Sequence, residues 1–515
     1  LDEDKMKTNR RNLLKGMAMG TVALSMPNFL AACAPKQASS ALSGDPFAEW
    51  FGVDEAMVGQ VMTELGRSGA TFADVYFQHS RSTSVALEDG IVSKASSSVD
   101  QGVGLRVVIG DQVGYAYTEE LTLEAMLTAA RTAAAIAKAG APVPAPPRYA
   151  FGPKQNFYTV VVPWSTVGID QRLPLLEKTA ALARAKDPAI TKVSVSLQDD
   201  EQRVLVADLS GRIQRDVRPM SRLWVNLTAV KNGVSRSNSA NLAGRRGLEF
   251  YDDAQLALVV QQAVDRTMVL FDARRPPAGE LPVVLASGAS GILLHEAIGH
   301  GMEADFNRKK VSIYADMMGR TIAPDFVTIV DDATCENERG ALNHDDEGNP
   351  GKRTVLVEKG VLKSYLHDQI SARHYGVEPT GSGRRESFRH VPMPRMRCTY
   401  MEPGPHSREE IIASVKNGII AETFLNGEVQ IGAGDFTFYI KNGWLIEDGK
   451  VTAPIADCNI IGNGPEALRN VTMVANDARL DTGGWTCGKD GQGVPVSQGL
   501  PTVLVSKMTV GGVHG

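Results

Sequence analysis

Two dipeptides, Asn442-Gly443 and Asp448-Gly449, separate three strand-like runs, Phe436–Ile440, Trp444–Glu447 and Lys450–Thr452. Asn-Gly and Asp-Gly suit the two-residue type I′ turn, in which both residues take φ > 0 and the twist matches that of an antiparallel pair. The segment therefore predicts a meander of three antiparallel strands. From Gly279 onward the rest of the chain also reads as strand and turn. One helical pattern, beginning near Gly288, is the exception.

Ahead of Gly279 the period changes repeatedly. Asp54–Arg67 carries apolar residues at helical spacing, and Val75–His79, Ser84–Leu87, Gly104–Ile109 and Gln112–Tyr117 then alternate like strands, with turns at Asp89-Gly90 and Gly110-Asp111. An Ala-rich helix over Leu121–Ala139 is broken by four prolines between Gly140 and Pro147. A second block repeats the scheme. It has a helix near Gln171–Lys186, strands at Val193–Leu197, Arg203–Ala207 and Leu223–Val230, a turn at Asn232-Gly233 and a closing helix at Asp253–Phe271. Arg274-Arg275-Pro276-Pro277 marks a boundary. The expected fold class is α+β: a mixed α/β N-terminal half over 46–278, then a β-rich domain over 279–515 carrying the one helix. A length of 515 residues leaves room for about three domains.

That helix contains Leu293-Leu294-His295-Glu296-Ala297-Ile298-Gly299-His300-Gly301. Zinc peptidases commonly place two histidines four residues apart on one helix face, with a glutamate beside the first as general base. Here the spacing is five, an HExxxH pattern, which on an ideal helix turns the second ring away by roughly 140°. Gly299 and Gly301 let the chain leave helical geometry, and a π-bulge or a helix end at Gly299 would bring the imidazoles together. The alternative is a buried His295 and a helix-capping His300 with no metal.

A zinc site needs a third protein ligand. Glu303 and Asp305 are the nearby candidates. Farther along, Gly483–Gly493 is a glycine-rich loop presenting Cys487, whose thiol would deprotonate on a metal. The same string nearly fits a phosphate-binding loop, but Asp490 stands where a magnesium-binding Ser or Thr belongs and would repel phosphate. Nucleotide binding is rejected. His344, His367, His374 and His390 read as surface or structural residues, and Asp345-Asp346-Glu347, followed by Gly348 and Pro350, as an acidic turn rather than a cation site.

The first forty residues read as an address. Arg10-Arg11, an apolar stretch from Gly16 to about Met26, and Leu30-Ala31-Ala32-Cys33 resemble a twin-arginine export signal ending in a lipobox, with Cys33 acylated (1–33) and 34–45 as a tether. The competing reading is an uncleaved tail on a cytoplasmic protein. Lys and Arg number 54 against 59 Asp and Glu, a net charge of −5. With no basic cluster to neutralise phosphates, a nucleic-acid partner is not expected.

Taken together, the residues resemble the TldD/PmbA family, specifically its TldD-type metallopeptidase branch. His295-Glu-Ala-Ile-Gly-His-Gly-Met-Glu-Ala-Asp305, Asp345-Asp-Glu-Gly-Asn-Pro350 and Cys487-Gly-Lys-Asp-Gly-Gln492 carry the match, with a weaker one at Phe72-Ala-Asp-Val-Tyr76. The resemblance implies that His295, His300 and Cys487 hold Zn2+, that Glu296 is catalytic, and that substrates are peptides or unfolded protein segments. It also implies a homodimer, or a heterodimer with a PmbA-type subunit. Family members of this kind are cytoplasmic and unlipidated, so the N-terminus is a departure. Two other readings stand beside the peptidase: a non-catalytic binding subunit of such a complex, and a regulator of a DNA enzyme, against which the acidic charge and the export signal both speak.

Overall fold

The computed structural model describes residues 45–136 and 140–512. The readings of Arg10-Arg11, of Cys33 and of the tether up to residue 44 lie outside the described residues.

The first block comprises α1 (Pro46–Phe51), α2 (Glu55–Gly66), β1 (Phe72–Glu88), β2 (Ile91–Ile109), β3 (Gln112–Thr118) and α3 (Leu123–Ile136). A short β4 (Ala150–Phe151) leads to the second: α4 (Ile169–Arg184), β5 (Ile190–Asp208), β6 (Arg212–Lys231), β7 (Val234–Gly244) and α5 (Asp253–Met268). Both blocks contribute to one seven-stranded sheet, in which β1 and β5 pair antiparallel down the middle from Asp74↔Asp208 to Glu88↔Ser194. The strands are longer than the alternation suggested. Val75–His79 and Ser84–Leu87 are parts of one 17-residue strand, and Val193–Leu197 and Arg203–Ala207 of one of 19 residues. The polar stretches between them read as breaks, yet they satisfy one another across the pair: Ser82 sits opposite Asp200 and donates to its Oδ2 at 2.6 Å.

The alternation also sorts the sheet into two unlike faces. Val75, Phe77, Val85 and Leu87 of β1, with Val193, Val195, Leu197, Leu205 and Ala207 of β5, are buried under the helices, α1–α3 at one end and α4–α5 at the other. The opposite face buries Asp74, Tyr76 and Gln78 of β1 and Gln214, Asp216 and Arg218 of β6. These meet the C-terminal half. Gln78 accepts from Phe388 N, Asp216 from the Asn343 amide, and Arg218 pairs with Asp346.

In the C-terminal half, Gly279–Leu285, Asn417–Gln430, Asp435–Glu447, Cys458–Asn463 and Val503–Gly512 pair in a closed ring. A second sheet runs through Arg353–Glu358, Ile329–Asp332, Cys398–Met401 and Gln492–Leu500. The helical segment 289–302 shares one apolar core with both. The architecture is thus mixed α and β, with strand dominating this half. The predicted meander is half right. Asp448 and Gly449, at φ 48° and 72°, make the turn before Lys450–Ile455. Asn442-Gly443 is no turn. It lies inside the strand Asp435–Glu447, where the Asn442 side chain bonds Arg266 O and the Asn238 amide, and a Cβ on Gly443 would stand 2.3 Å from Ile420 O. No described helix is long and apolar enough to cross a membrane.

Candidate metal centre

The segment 289–302 is not one helix type. A 3-10 turn and one α-helical turn run into a π-helix at His295–Gly299, and a 3-10 turn follows at His300–Met302. A π-turn has a wider repeat than the 3.6 residues of an α-helix, so a spacing of five returns the second ring to the side of the first. The ring centroids of His295 and His300 are 5.1 Å apart and nearly perpendicular, at 85°. Gly299 is needed for a different reason from the expected one. Its φ and ψ of −58° and −50° suit any residue, but a Cβ there would meet Met396 Sδ at 1.9 Å. A Cβ on Gly301 would likewise meet the Tyr314 ring at 2.6 Å. Space, not conformational freedom, selects both glycines.

The predicted glycine-rich loop is a β-hairpin. Trp485–Lys489 pairs with Gln492–Leu500 across Asp490 and Gly491, at φ 48° and 73°. Cys487 therefore comes from a strand. Its Sγ lies 3.4 Å from His300 Nε2, and ligand atoms of His295, His300 and Cys487 all fall within 4.8 Å of one another. All three residues are buried. Burial raises the Cys487 thiol, but the neighbouring His295 and His300 outweigh it and hold it well below the usual thiol range. Burial lowers the His300 ring, and Glu303 with Cys487 reverse this and raise it well above the usual value. A thiolate is the form a soft divalent metal takes as ligand. His295 Nδ1 is buried without a hydrogen-bond partner among the described residues. The donor set and its geometry fit a metal ion.

Glu303 and Asp305 sit behind this cluster instead of in it. Glu303 Oε2 lies 3.0 Å from His300 Nδ1 and accepts from Lys489 Nζ at 3.0 Å, while Asp305 Oδ1 accepts from the same ammonium at 2.8 Å. Burial would raise Glu303, but Lys489 and His300 hold it ionised, at about 2. Such a carboxylate fixes which ring nitrogen stays free for a metal and raises its basicity. Glu296 is only half-buried, and burial raises its carboxyl above the usual range.

Sequence reasoning met Lys489 in the rejected phosphate-loop pattern and offered Glu303 as one candidate third ligand; the structure sets both behind the donor cluster. Two signals were available. Asp490-Gly491 is a hairpin dipeptide, and alternation in the strand before it puts Cys487 and Lys489 on one face. Glu303 follows His300 by three residues, within reach along a helical turn.

Asp345-Asp346-Glu347 forms the expected acidic turn, and the turn lies inside the protein. All three residues are buried, with Arg106 and Arg218 from the N-terminal sheet on Glu347 and Asp346. His344 and His367 are buried as well; His374 and His390 are not.

Two imidazoles and a thiolate converging beside a half-buried carboxylate define the kind of site that metal-dependent hydrolases use. Family models described as PmbA/TldA metallopeptidase domain 1, central domain and C-terminal domain match residues 73–137, 162–271 and 278–512. The chain is 40% identical over 450 residues to the metalloprotease TldD homolog of Haemophilus influenzae, covering 86% of this chain and 93% of that protein. It is 27% identical over 463 residues to the zinc metalloprotease TldD homolog of Saccharolobus solfataricus, covering 86% and 97%. Among solved structures, TldE of Thermococcus kodakarensis superposes with a TM-score of 0.67 at 20% identity, over 88% of this chain and 99% of that one, a likeness of fold. The chain belongs to the PmbA/TldD metallopeptidase family.

Proposed function

We propose that this protein is a zinc-dependent peptidase acting on peptides or unfolded protein segments, with His295, His300 and Cys487 as zinc ligands and Glu296 as general base. The convergence of the three donor atoms across a π-turn and a hairpin carries the reading. When bound, zinc would supply Lewis acidity toward the scissile carbonyl and lower the pKa of water. The chain supplies the rest. Glu296, half-buried beside the first ligand, takes the proton of the attacking water and passes it to the leaving amine. Glu303 orients His300, and Lys489 holds Glu303 in place. A thiolate donates more charge than a carboxylate, so zinc held by His295, His300 and Cys487 would be a softer Lewis acid than zinc held by two histidines and a glutamate.

The test is metal analysis of the purified protein with digestion of an unfolded protein, with and without a chelator. One zinc per chain and chelator-sensitive cleavage are expected. Metal-free protein that cleaves nothing would favour the non-catalytic subunit.

Two further parts of the proposal rest on the sequence. Arg10-Arg11 and Leu30-Ala31-Ala32-Cys33 support export and a lipid anchor at Cys33, and mass spectrometry of the native N-terminus decides it. The family supports a homodimer or a PmbA-type partner, which light scattering with and without that partner reads.

A further inference from the structure

A cavity of about 230 Å³ opens between the N-terminal sheet and the hairpin that carries Cys487. Asp200, Glu386 and Thr486 lie at its more open side, and Arg245, Arg339 and Arg384 are buried in its wall. These three arginines are only 3%, 7% and 3% exposed, and among the described residues none has a carboxylate oxygen within 4.0 Å. Arg339 donates to Trp485 O and Thr486 Oγ1, and Arg384 to the carbonyls of Met396 and Pro495, all uncharged acceptors. Arg245 makes one long bond, 3.4 Å to Pro219 O, and its Nε is buried with no partner among the described residues.

The carboxylates nearest these charges act on them at a distance, without a direct ion pair. Asp346 is taken by Arg218 and by the backbone N–H of Arg385. Glu386 is exposed and accepts from Gly493 N; Asp200 accepts from Ser82, and its carboxyl, raised by burial to about 6, feels the charge of Arg245 without touching it. Burial pulls Arg339 down to about 10 and Arg384 to about 9, and lowers Arg245 too. Buried cations without a counter-charge are costly, and a planar guanidinium fork is the side chain best matched to a carboxylate.

Position says which carboxylate. Thr486 precedes Cys487, and successive strand residues face opposite ways. The cavity and the ligand cluster therefore occupy two faces of one two-stranded hairpin. We propose that the cavity is a subsite for a carboxylate of the peptide substrate, seated on Arg245, Arg339 and Arg384. This rests on the peptidase reading above.

The test uses the full chain carrying Glu296→Gln, so that binding is read without turnover. Calorimetry compares three probes: an acetylated tetraalanine with a free C-terminus, its C-terminal amide, and the amide with one alanine replaced by glutamate. At least one charged probe should bind about tenfold or more tighter than the neutral amide, the scale of a hydrogen bond to a charged group. Preference for the free acid assigns the subsite to the chain end, and preference for the glutamate peptide to a side chain. Arg245→Met should erase the difference and Arg245→Lys should leave part of it. The melting temperature of Arg245→Met without peptide should hold or rise, since an unpaired buried charge is removed. Equal binding of all three probes, or a charge preference that survives Arg245→Met, overturns the proposal. The peptidase reading fails separately, if zinc-loaded protein without Glu296→Gln cleaves no peptide while the charge preference persists.

Discussion

The Nδ1 atom of His300 lies 3.0 Å from Oε2 of Glu303, while its Nε2 lies 3.4 Å from Cys487 Sγ. One imidazole thus links a buried carboxylate to the position where the other donors converge. The carboxylate is itself pinned by Lys489, two residues after Cys487, so the hairpin supplies one prospective ligand directly and steadies another at second hand. Replacing Glu303 by Gln keeps the shape and removes the charge. Zinc affinity, measured by chelator competition, should fall about 10–100-fold with one zinc still bound at saturation. An unchanged affinity would make the contact mere packing.

Ligand and base should separate cleanly. His300→Ala and Cys487→Ala each remove one of three donors, and should lose metal and peptidase activity together. Glu296→Ala should keep its zinc and lose cleavage of unfolded substrate. If Cys487→Ala binds zinc normally, the assignment of the third ligand is wrong.

Much of this centre was legible in the chain. A spacing of five with glycine beside the second histidine pointed to a π-bulge or a helix end at Gly299, and His295–Gly299 takes the π form. Its glycine-rich surroundings made Cys487 one candidate, and the family resemblance selected it over Glu303 and Asp305; the hairpin that aims it at the histidines reads locally as a loop. What stayed hidden depended on contacts between distant segments. Nothing local marks Asn442-Gly443 as mid-strand, since the reason is Ile420 and Arg266 on other elements. The polar stretches of β1 and β5 read as breaks because each finds its partner only across the sheet. Asp345-Asp346-Glu347 read only as an acidic turn, and its burial was hidden because Arg106 and Arg218 lie more than a hundred residues away in sequence.

Space at Gly299 predicts a sign reversal. Gly299→Ala puts a methyl into Met396 and should destabilise by about 1–3 kcal/mol through overpacking. In a Met396→Ala background the same methyl fills room that the truncation opened, and should stabilise. Urea denaturation of the four proteins gives the coupling, and simple additivity would rule out this contact as the reason for the glycine.

Arg106 lies between two carboxylates, Asp74 on its own sheet and Glu347 of the acidic turn, with all three side chains fully buried. Arg106→Ala leaves those carboxylates without their shared cation. A loss of about 3–5 kcal/mol in chemical denaturation is expected. Arg67→Ala, whose ion pair with Glu64 is largely exposed on the arginine side, should change stability by well under 1 kcal/mol.

His367 gives the fold an acid limit apart from the metal centre. Its ring packs against Tyr365 and Tyr375, and burial, helped by the charge of Lys352, lowers its pKa from 6.5 to about 4. The folded chain therefore prefers the neutral ring. The stability this contributes is complete above pH 6.5, the unfolded value, and is lost as pH falls through about 4. A shift of this size corresponds to about 3 kcal/mol at most. His367→Phe keeps an aromatic ring between the tyrosines and has nothing to protonate. The free energy of unfolding of the two proteins, followed from pH 7.5 to 4, should run parallel above pH 6.5 and diverge below it in favour of the phenylalanine. Curves that stay parallel to pH 4 would mean that His367 accepts a proton in place, without cost to the fold.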